Sequence, residues 1–290
     1  MSLLNIKTIG RFSLVCLIAI ASINANAQTL TFTAIPDQDE TRLQQRFNKV
    51  ADYLSKTLNV DVKYIPVKSY AAAITAFRNN QVQLAWFGAL SGIQARKRVA
   101  NSEAIAQGFE DQFFKTYFIA HKSTGLKPST NFPQAMKGKS FTFGSKGSTS
   151  GRLMPEYYVR QNLAAPKDAF TKVGFSGDHS RTIALVMAGS YEVGAVNYKV
   201  WDKMLKENRI DKNLVSVIWE TPTYPDYQWS VRGDMDTVFG KGMKKKVQDA
   251  LLNMKDPDLL SSFPRSSFIA AKNSDYKKVK ETAQAIGIMD

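Results

Sequence analysis

The chain has 290 residues, a formal net charge of +14 and a single cysteine, Cys16. A chain of this length can bury a large core and form one or two domains. The positive charge favours acidic partners, namely nucleic acid, an anionic membrane or small anions, whereas one cysteine excludes an intrachain disulfide and a thiolate cluster.

The first 27 residues have the pattern of a secretory signal peptide. Lys7 and Arg11 form a basic region without acidic residues, an apolar stretch follows at 12–22, and the segment ends in Ala-Asn-Ala27. The apolar stretch is shorter than the ~20 residues that span a bilayer, which disfavours an uncleaved anchor. We therefore predict cleavage after Ala27, a periplasmic location, and a soluble mature chain with a charge of +12 and no cysteine.

The next part of the chain alternates strand-like and helix-like segments. Apolar residues at three- and four-residue steps predict a helix, and short apolar runs between turn residues predict strands. In chain order these are a strand at 30–35, a helix with Leu43, Phe47, Val50, Leu54 and Leu58 on one face, a strand at 61–65, a short helix at 70–77 and a strand at 83–87. This β–α–β–α–β order predicts a mostly parallel sheet covered by helices.

A second series of similar units follows, and the two series together predict two α/β lobes. Its predicted elements are strands at 116–120, 140–143, 172–175 and 193–196, helices after 151 and at 182–187, extended segments at 215–219 and 228–231, and helices at 241–254 and 276–286. We expect the chain to cross between the lobes near 120–122 and near 220–222. Lobe one would then hold 28–120 and 222–290, and lobe two 121–221, with the ligand cleft between them beyond the carboxyl ends of the strands.

The segment Gly144-Ser-Lys-Gly-Ser-Thr-Ser-Gly151 lies between a predicted strand and a predicted helix. Its glycines let the backbone turn tightly and approach a ligand. Unpaired N–H groups and the positive end of the helix dipole follow it, so the segment predicts an anion-binding cradle. Its hydroxyl groups belong to Ser148, Thr149 and Ser150. The alternative is that one hydroxyl merely caps the helix.

Other polar and aromatic residues stand at the ends of predicted strands and the starts of predicted helices. His179 lies in a strand–helix turn, where an imidazole can donate to an oxyanion. Asn197 follows a buried strand and can donate or accept. In lobe one, Tyr70 begins a helix, and Trp86 and Phe87 end a strand. We predict that these five residues contact the ligand in the cleft. The alternatives are a surface histidine, a turn asparagine and aromatic residues of the core.

Enzyme and metal sites find little support in the sequence. The chain has no H-E-x-x-H and no Gly-x-Ser-x-Gly motif. Only two histidines, and no cysteine beyond the signal peptide, disfavour a transition-metal site, so no metal or cofactor is expected. A secreted protein rarely meets nucleic acid. We therefore expect a non-enzymatic protein whose ligand is a small anion.

A set of short segments occurs in an order that resembles the phosphonate/phosphite-type solute-binding proteins of ABC importers, including members assigned to selenate transport. The resemblance covers nearly all of the mature chain and is most specific in the Ser-Thr-Ser-Gly-x-x-x-Pro stretch. The segments are Ala34-Ile-Pro-Asp37, Tyr70-Ala-Ala-Ala73, Leu84-Ala-Trp-Phe-Gly88, Ser148-Thr-Ser-Gly-x-x-x-Pro155, Gly177-Asp-His179 and Val193-Gly-Ala-Val-Asn-Tyr198.

The resemblance implies a type II periplasmic binding fold, with an ABC permease and its ATPase as partners of a monomeric protein. It also implies that Tyr70, Ser148, Thr149, Ser150 and His179 bind the anion. Two positions depart from the family pattern: Phe87 stands where phosphonate binders carry a tyrosine, and Asn197 stands near where some members carry an acid.

The departure at Asn197 bears on the ligand. A protonated phosphonate or phosphite profits from a carboxylate acceptor, whereas fully ionised selenate or sulfate would be repelled by one. Asn197 therefore favours a deprotonated oxyanion, and the ligand stays open between phosphonate, phosphite, phosphate and selenate. The alternatives for the whole protein are a sensory ligand-binding module on the same fold, an enzyme of periplasmic-binding descent and an amino-acid binder.

Overall fold

The computed structural model describes residues 28–289. The predicted signal peptide and its cleavage point after Ala27 fall outside these described residues and stay predictions. Within 28–289, no helix combines the length and the apolar character needed to cross a membrane.

The strands form two separate sheets. They are β1 Leu30–Ala34, β2 Val62–Tyr64, β3 Leu84–Phe87, β4 Glu103–Gly108, β5 Thr116–His121, β6 Ser140–Phe143, β7 Lys172–Phe175, β8 Val193–Asn197, β9 Val215–Glu220, β10 Gln228–Val231 and β11 Phe268–Ala270. The first sheet has the order β11-β4-β10-β3-β1-β2 and the second β7-β6-β8-β5-β9.

The helices alternate with these strands for most of the chain. They are α1 Glu40–Leu58, α2 Tyr70–Arg78, α3 Ala89–Lys97, α4 Met154–Asn162, α5 Pro166–Ala169, α6 His179–Met187, α7 Tyr198–Lys206, α8 Met235–Phe239, α9 Met243–Leu252, α10 Pro257–Ser262 and α11 Lys277–Ala285. Elements α3, β4, α5, α7, α8, α10 and β11 were not predicted from the sequence. Helices α6 and α7 follow their strands directly, without a connecting loop of more than three residues.

Both sheets are mixed rather than mostly parallel. In the first sheet β1 pairs in parallel with β2 and β3, whereas β10 pairs antiparallel with β3 and β4. In the second sheet β6 is parallel to β7 and β8, and β5 is antiparallel to β8 and β9. Strand β11 also pairs antiparallel with β4, and the other antiparallel pairs involve strands next to the segments in which the chain passes from one sheet to the other.

The chain crosses between the sheets twice, through 109–115 and through 221–227. The two crossings are hydrogen-bonded to each other by a short antiparallel bridge, in which the N–H groups of Phe114 and Tyr224 donate reciprocally at 2.9 Å. The expected boundary after residue 120 is therefore one strand too late, because β5 pairs in the second sheet. An apolar strand pattern does not show which sheet a strand joins. Below, the first lobe means the part built on the first sheet and the second lobe the part built on the second.

The second sheet is covered on both faces by apolar side chains. Phe118 belongs to one hydrophobic cluster and its neighbour Ile119 to another, and Ala195 and Val196 divide in the same way. Successive side chains of a strand point to opposite faces, so the two clusters lie on opposite sides of the sheet. This buried arrangement holds the strand ends, and the turns that follow them, in place.

Candidate functional site

The loop after β6 places its three hydroxyl residues in the interior. Ser148, Thr149 and Ser150 are buried, and a single π-helical turn at 149–153 joins the loop to α4. The Ser148 Oγ accepts a hydrogen bond from the N–H of Gly151 at 2.9 Å, so it does cap the helix. The Ser150 Oγ is buried without a hydrogen-bond partner among the described residues. π-turns are rare and occur often at functional sites, and here the turn presents a free hydroxyl.

His179 packs against this loop as the first residue of α6. A methyl group on Gly151 would lie 3.0 Å from the imidazole Cε1, so the ring and the loop backbone are in close contact. The backbone N–H of Asn197 donates to Nδ1 at 3.2 Å, which places the proton of the neutral ring on Nε2. Burial lowers the pKa of His179 to about 3. Its Nε2 is buried without a partner among residues 28–289, and is therefore an unused neutral donor.

Tyr70 approaches the loop from the first lobe. It begins α2, whose N-cap is Ser69, and its side chain is buried against Gly147, where a Cβ would lie 3.1 Å from the Tyr70 Cβ. Burial raises the pKa of the phenol well above its usual value, and a hydrogen bond with Ser148 partly offsets this effect. The phenol is therefore a neutral donor beside the Ser148 hydroxyl.

The N-terminus of α3 also belongs to the first lobe and meets the serine loop directly. The N–H of Leu90 donates to Thr149 Oγ1 at 3.0 Å, and the N–H of Ala89 donates to Asp226 Oδ1 at 2.9 Å. Gly88 permits this approach, because a Cβ there would lie 3.1 Å from Asp226 Oδ1 and 3.3 Å from Thr149 Oγ1. The two lobes thus touch through hydrogen-bonded backbone.

Asp226 is the residue of this group that the sequence analysis missed. It lies in the second crossing, is 1% exposed, and its Oδ2 has no hydrogen-bond partner among the described residues. Burial raises the pKa of this carboxyl to about 7, against the opposing effect of the Ala89 N–H. The sequence signal was only an acid between two aromatic residues and a proline in a loop.

Asp37 is a second buried carboxylate near His179. Its backbone carbonyl accepts from the N–H of His179 at 3.1 Å, and its Oδ2 accepts from the Tyr227 hydroxyl at 2.9 Å. Burial raises the pKa of Asp37, and the positive charge of Arg46 opposes that rise. The Tyr227 Oη in turn accepts from Asn197 Nδ2 at 2.9 Å, so a chain of hydrogen bonds joins the two lobes.

Asn197 is fully engaged by the protein. Its Oδ1 caps α7 by accepting from the N–H groups of Lys199 and Val200, while its Nδ2 donates to Tyr227. The geometry therefore matches the turn and capping alternative, and leaves the amide little capacity for a ligand. Its predicted ligand contact stays a prediction.

Trp86 and Phe87 lie deeper in the first lobe. The Trp86 ring stacks on Tyr227, with centroids 5.5 Å apart, and Phe87 packs edge-on against Phe77 at 5.7 Å. Both are buried. Trp86 therefore supports the tyrosine that bonds Asp37 and Asn197, and Phe87 packs in the core. Their direct contact with a ligand stays a prediction.

Together these residues form a buried cluster of neutral donors beside an incompletely bonded carboxyl. Such a cluster can bind a compact anion through charge-assisted hydrogen bonds, and the carboxyl can accept one proton from it. Within residues 28–289 no group of three or more His, Cys, Asp or Glu side chains is placed to hold a metal ion.

Comparison with known proteins agrees with this geometry. Residues 32–276 match the family described as ABC transporter, phosphonate, periplasmic substrate-binding protein. The chain is 41% identical over 270 residues to the probable ABC transporter phosphite binding protein PhnD1 of Prochlorococcus marinus (strain MIT 9301), covering 90% of this chain and 91% of that protein. It is 27% identical to the phosphonates-binding periplasmic protein of Escherichia coli (strain K12), covering 74% of this chain and 64% of the relative.

The structural comparison points the same way. The fold superimposes on the 1.52 Å structure of the Prochlorococcus marinus PhnD1 in complex with methylphosphonate with a TM-score of 0.87, covering 91% of this chain and all of that one. This confirms the expected type II periplasmic binding fold and the expectation of a binding protein rather than an enzyme. The chain is a member of the phosphonate-binding family of periplasmic substrate-binding proteins of ABC transporters.

Proposed function

We propose that this protein captures phosphite or a small phosphonate such as methylphosphonate in the periplasm and delivers it to an ABC permease driven by its ATPase. The relatives described above support this ligand class, since their names mention phosphite, phosphonates or methylphosphonate. Selenate and the sensory alternative receive no specific support from them.

The donors proposed to bind the ligand oxygens come from both lobes. His179 Nε2 and Ser150 Oγ are buried and unpartnered, and the hydroxyls of Ser148, Thr149 and Tyr70 surround the same loop. Neutral donors suit this task, because a tight anion site in a dry cleft needs hydrogen bonds more than it needs a full countercharge.

The observation that carries the proposal is the unpartnered Oδ2 of Asp226. A carboxylate beside an anion site repels a fully ionised ligand in a medium of low dielectric constant. Phosphite and phosphonates, however, keep one acidic proton up to nearly neutral pH, and a P–OH group can donate to Oδ2. The carboxyl, with its pKa near 7, and the ligand would share one proton, as coupled acids do.

The buried carboxyls change the inference that Asn197 suggested about the ligand. The absence of an acid at that position favoured a fully ionised oxyanion such as selenate, on the premise that the site has no carboxylate. Asp226 and Asp37 supply buried carboxyls from the crossing segment and the first lobe, so the premise fails. Sulfate and selenate offer no proton to either carboxyl and should be rejected.

We further propose that the ligand binds by closure of the two lobes, with 28–115 and 222–289 forming one lobe and 116–221 the other. The hydrogen bonds from Leu90 to Thr149 and from His179 to Asp37 join residues of different lobes. They would form on closure and break on opening, as in other hinged clamps. A monomer suffices for this mechanism.

Isothermal titration calorimetry with phosphite, methylphosphonate, phosphate, sulfate and selenate at pH 7 tests the proposal. We expect phosphite and methylphosphonate to bind at least about 100-fold more tightly than sulfate and selenate, a difference of about 3 kcal/mol. Repeating the titration in buffers of different ionisation enthalpy measures the proton that the complex retains. Tightest binding of selenate or sulfate would refute the proposed ligand.

The predicted export has its own test. We propose that the exported protein begins at Gln28, since the Ala-Asn-Ala27 site directs cleavage. Intact-mass measurement of the periplasmic fraction should show the chain without residues 1–27. Retention of the full chain in the membrane fraction would contradict it.

A further inference from the structure

A cavity of about 280 Å³ opens on the seam between the two lobes, apart from the serine loop. Its lining holds four cationic side chains and no carboxylate. The lining residues are Arg42, Gln45, Arg46 and Lys49 of α1 in the first lobe and Lys203 of α7 in the second. We call this cavity the cationic basin.

Arg46 is the least ordinary residue of the basin. Its side chain is 6% exposed, and its guanidinium lies 5.7 Å from the ring centroid of Phe47 and 5.6 Å from that of Phe263. Among residues 28–289 no oxygen accepts a hydrogen bond from it. The guanidinium nitrogens are not fully enclosed by protein, and Arg46 lines both the basin and a second, narrow cavity. Its donors are therefore available to a molecule in the basin.

The charged groups around Arg46 leave the basin positive. Asp37 is the acid whose charge acts most strongly on Arg46, but no ion pair joins the two, and the Asp37 Oδ2 accepts from Tyr227. Arg265, also near, is paired with Asp111.

The remaining acids at the rim are already paired, Asp39 with Arg42 and Glu207 with both Arg42 and Arg209. Arg42 pairs with Asp39 at 3.1 Å and, across the seam, with Glu207 at 2.8 Å. Lys49 and Lys203 have no ion-pair partner within the described part of the chain. Two lysines and one buried arginine thus face the basin without a bonded counterion.

We propose that the cationic basin is a second anion-binding site, which takes a small anion with two or more charged oxygens and is complete only when the lobes are together. Because Lys203 comes from one lobe and the other cations from the other, an anion between them binds the closed form better than the open form. It therefore favours closure, and by linkage a ligand at the serine loop favours binding in the basin.

The electrostatics of Lys203 agree with this arrangement. Burial lowers the pKa of Lys203, and the positive charges of Arg46 and Arg42 lower it further, while Glu207 and Asp37 act in the opposite direction. Closure thus brings like charges together. An anion in the basin removes part of that repulsion.

Thermal unfolding with malonate, a small dicarboxylate dianion, tests the site without any phosphonate present. Malonate replaces chloride at constant ionic strength, so that general screening does not change. We expect malonate to raise the Tm of the wild type, and Lys203→Gln and Arg46→Met to lose most of that rise. Lys206→Gln removes the same charge from an exposed position of the same helix and should keep the rise, as should His179→Ala, which removes a donor of the serine-loop site and no charge of the basin.

The outcomes separate the second site from its alternatives. An unchanged Tm in the wild type overturns the proposal, and so does an equal rise in Lys203→Gln and Lys206→Gln, which would mean non-specific binding. Loss of the rise in His179→Ala would assign malonate to the serine loop and also overturns it. If Arg46→Met fails to fold, the pair Lys203→Gln and Lys206→Gln still decides.

A second measurement tests the coupling and rests on the proposed ligand. Malonate should raise the affinity for methylphosphonate by about fivefold in the wild type, within the usual range of coupling between sites, and by much less in Lys203→Gln. Competition at one shared site would lower the affinity instead and would refute the coupling. If methylphosphonate does not bind at all, the proposed function fails while the unfolding experiment still decides the second site.

Discussion

The two halves of the candidate site use opposite chemistry. The second lobe contributes neutral donors on a short loop and a helix start, namely the serine loop and His179. The first lobe and the crossing segment contribute buried carboxyls, Asp37 and Asp226, and a single neutral donor, the Tyr70 phenol. The donor half can bind any compact anion, whereas the carboxyl half can distinguish a protonated anion from a fully ionised one. Affinity and selectivity thus depend on different parts of the chain.

The largest effect on affinity should come from the donor half. His179→Ala removes a buried Nε2–H that has no other partner, and a hydrogen bond to a charged group contributes about 2–3 kcal/mol. We expect the Kd for methylphosphonate to rise about 100-fold by calorimetry. His121→Ala is the matched control, because its imidazole bonds only Ser123 at the far end of β5. Equal affinities for the two variants would remove His179 from the site.

The next largest effect concerns selectivity and lies in the carboxyl half. Asp226→Asn keeps an oxygen for the Ala89 N–H but replaces the free Oδ2 with an amide donor. We expect methylphosphonate to bind about tenfold more weakly and sulfate about tenfold more tightly, since the proton acceptor is gone and the repulsion with it. Competition titrations measure both. A variant that keeps the wild-type order of anions would show that Asp226 does not select the ligand.

The pH dependence sharpens the same contrast. Burial raises the pKa of Asp226 to about 7, so above that pH the carboxyl and the ligand no longer share a proton. Methylphosphonate affinity should then fall by up to about tenfold per pH unit in the wild type, and should not fall in Asp226→Asn. His179 stays neutral throughout, because its pKa of about 3 lies below this range. If the affinity falls equally steeply with pH in both proteins, a group other than Asp226 causes the pH dependence.

The unfolding free energy of the ligand-free protein should also depend on the protonation of Asp226. The folded state binds the Asp226 proton more tightly than the unfolded chain does, so this group adds stability at low pH that is lost as the pH rises from about 4 to 7. The difference in unfolding free energy between wild type and Asp226→Asn should therefore change over that interval. Urea unfolding at several pH values measures it, and a constant difference would contradict the raised pKa.

The difference between the donor half and the carboxyl half also explains which parts of the site the sequence could predict. The donor half is local: glycines, hydroxyls and a strand–helix junction lie within eight residues, so the cradle at 144–151 was visible before the fold was known. The carboxyl half is assembled over long distances. Asp226 lies 77 residues from Thr149, and its closeness depends on the crossing at 221–227, whose position no local pattern reveals. Strand β5 was placed in the wrong sheet for the same reason, since pairing is a non-local property.

The hydrogen bond between the lobes should have a smaller effect on the affinity for methylphosphonate. Thr149→Val keeps the shape of the side chain but removes the oxygen that accepts the Leu90 N–H across the seam. The unpaired N–H should cost the closed form about 1 kcal/mol, which weakens methylphosphonate binding about fivefold. Thr149→Ser retains the oxygen and should restore most of the affinity. If valine and serine behave alike, the bond between Leu90 and Thr149 does not contribute to closure.

The smallest effect on affinity should come from Asn197, although the sequence placed it among the ligand-binding residues. Its Oδ1 caps α7 and its Nδ2 donates to Tyr227, so Asn197→Ala should act mainly on folding. Loss of the cap costs about 1 kcal/mol of unfolding free energy, whereas the Kd should change less than about threefold, because the Tyr227 hydroxyl still donates to Asp37 and holds its position. Asn197→Ser retains a capping oxygen without adding a buried charge and should recover most of the stability. A large loss of affinity with unchanged stability would instead show that Asn197 contacts the ligand. Residues of both lobes, rather than of one, would then select the anion.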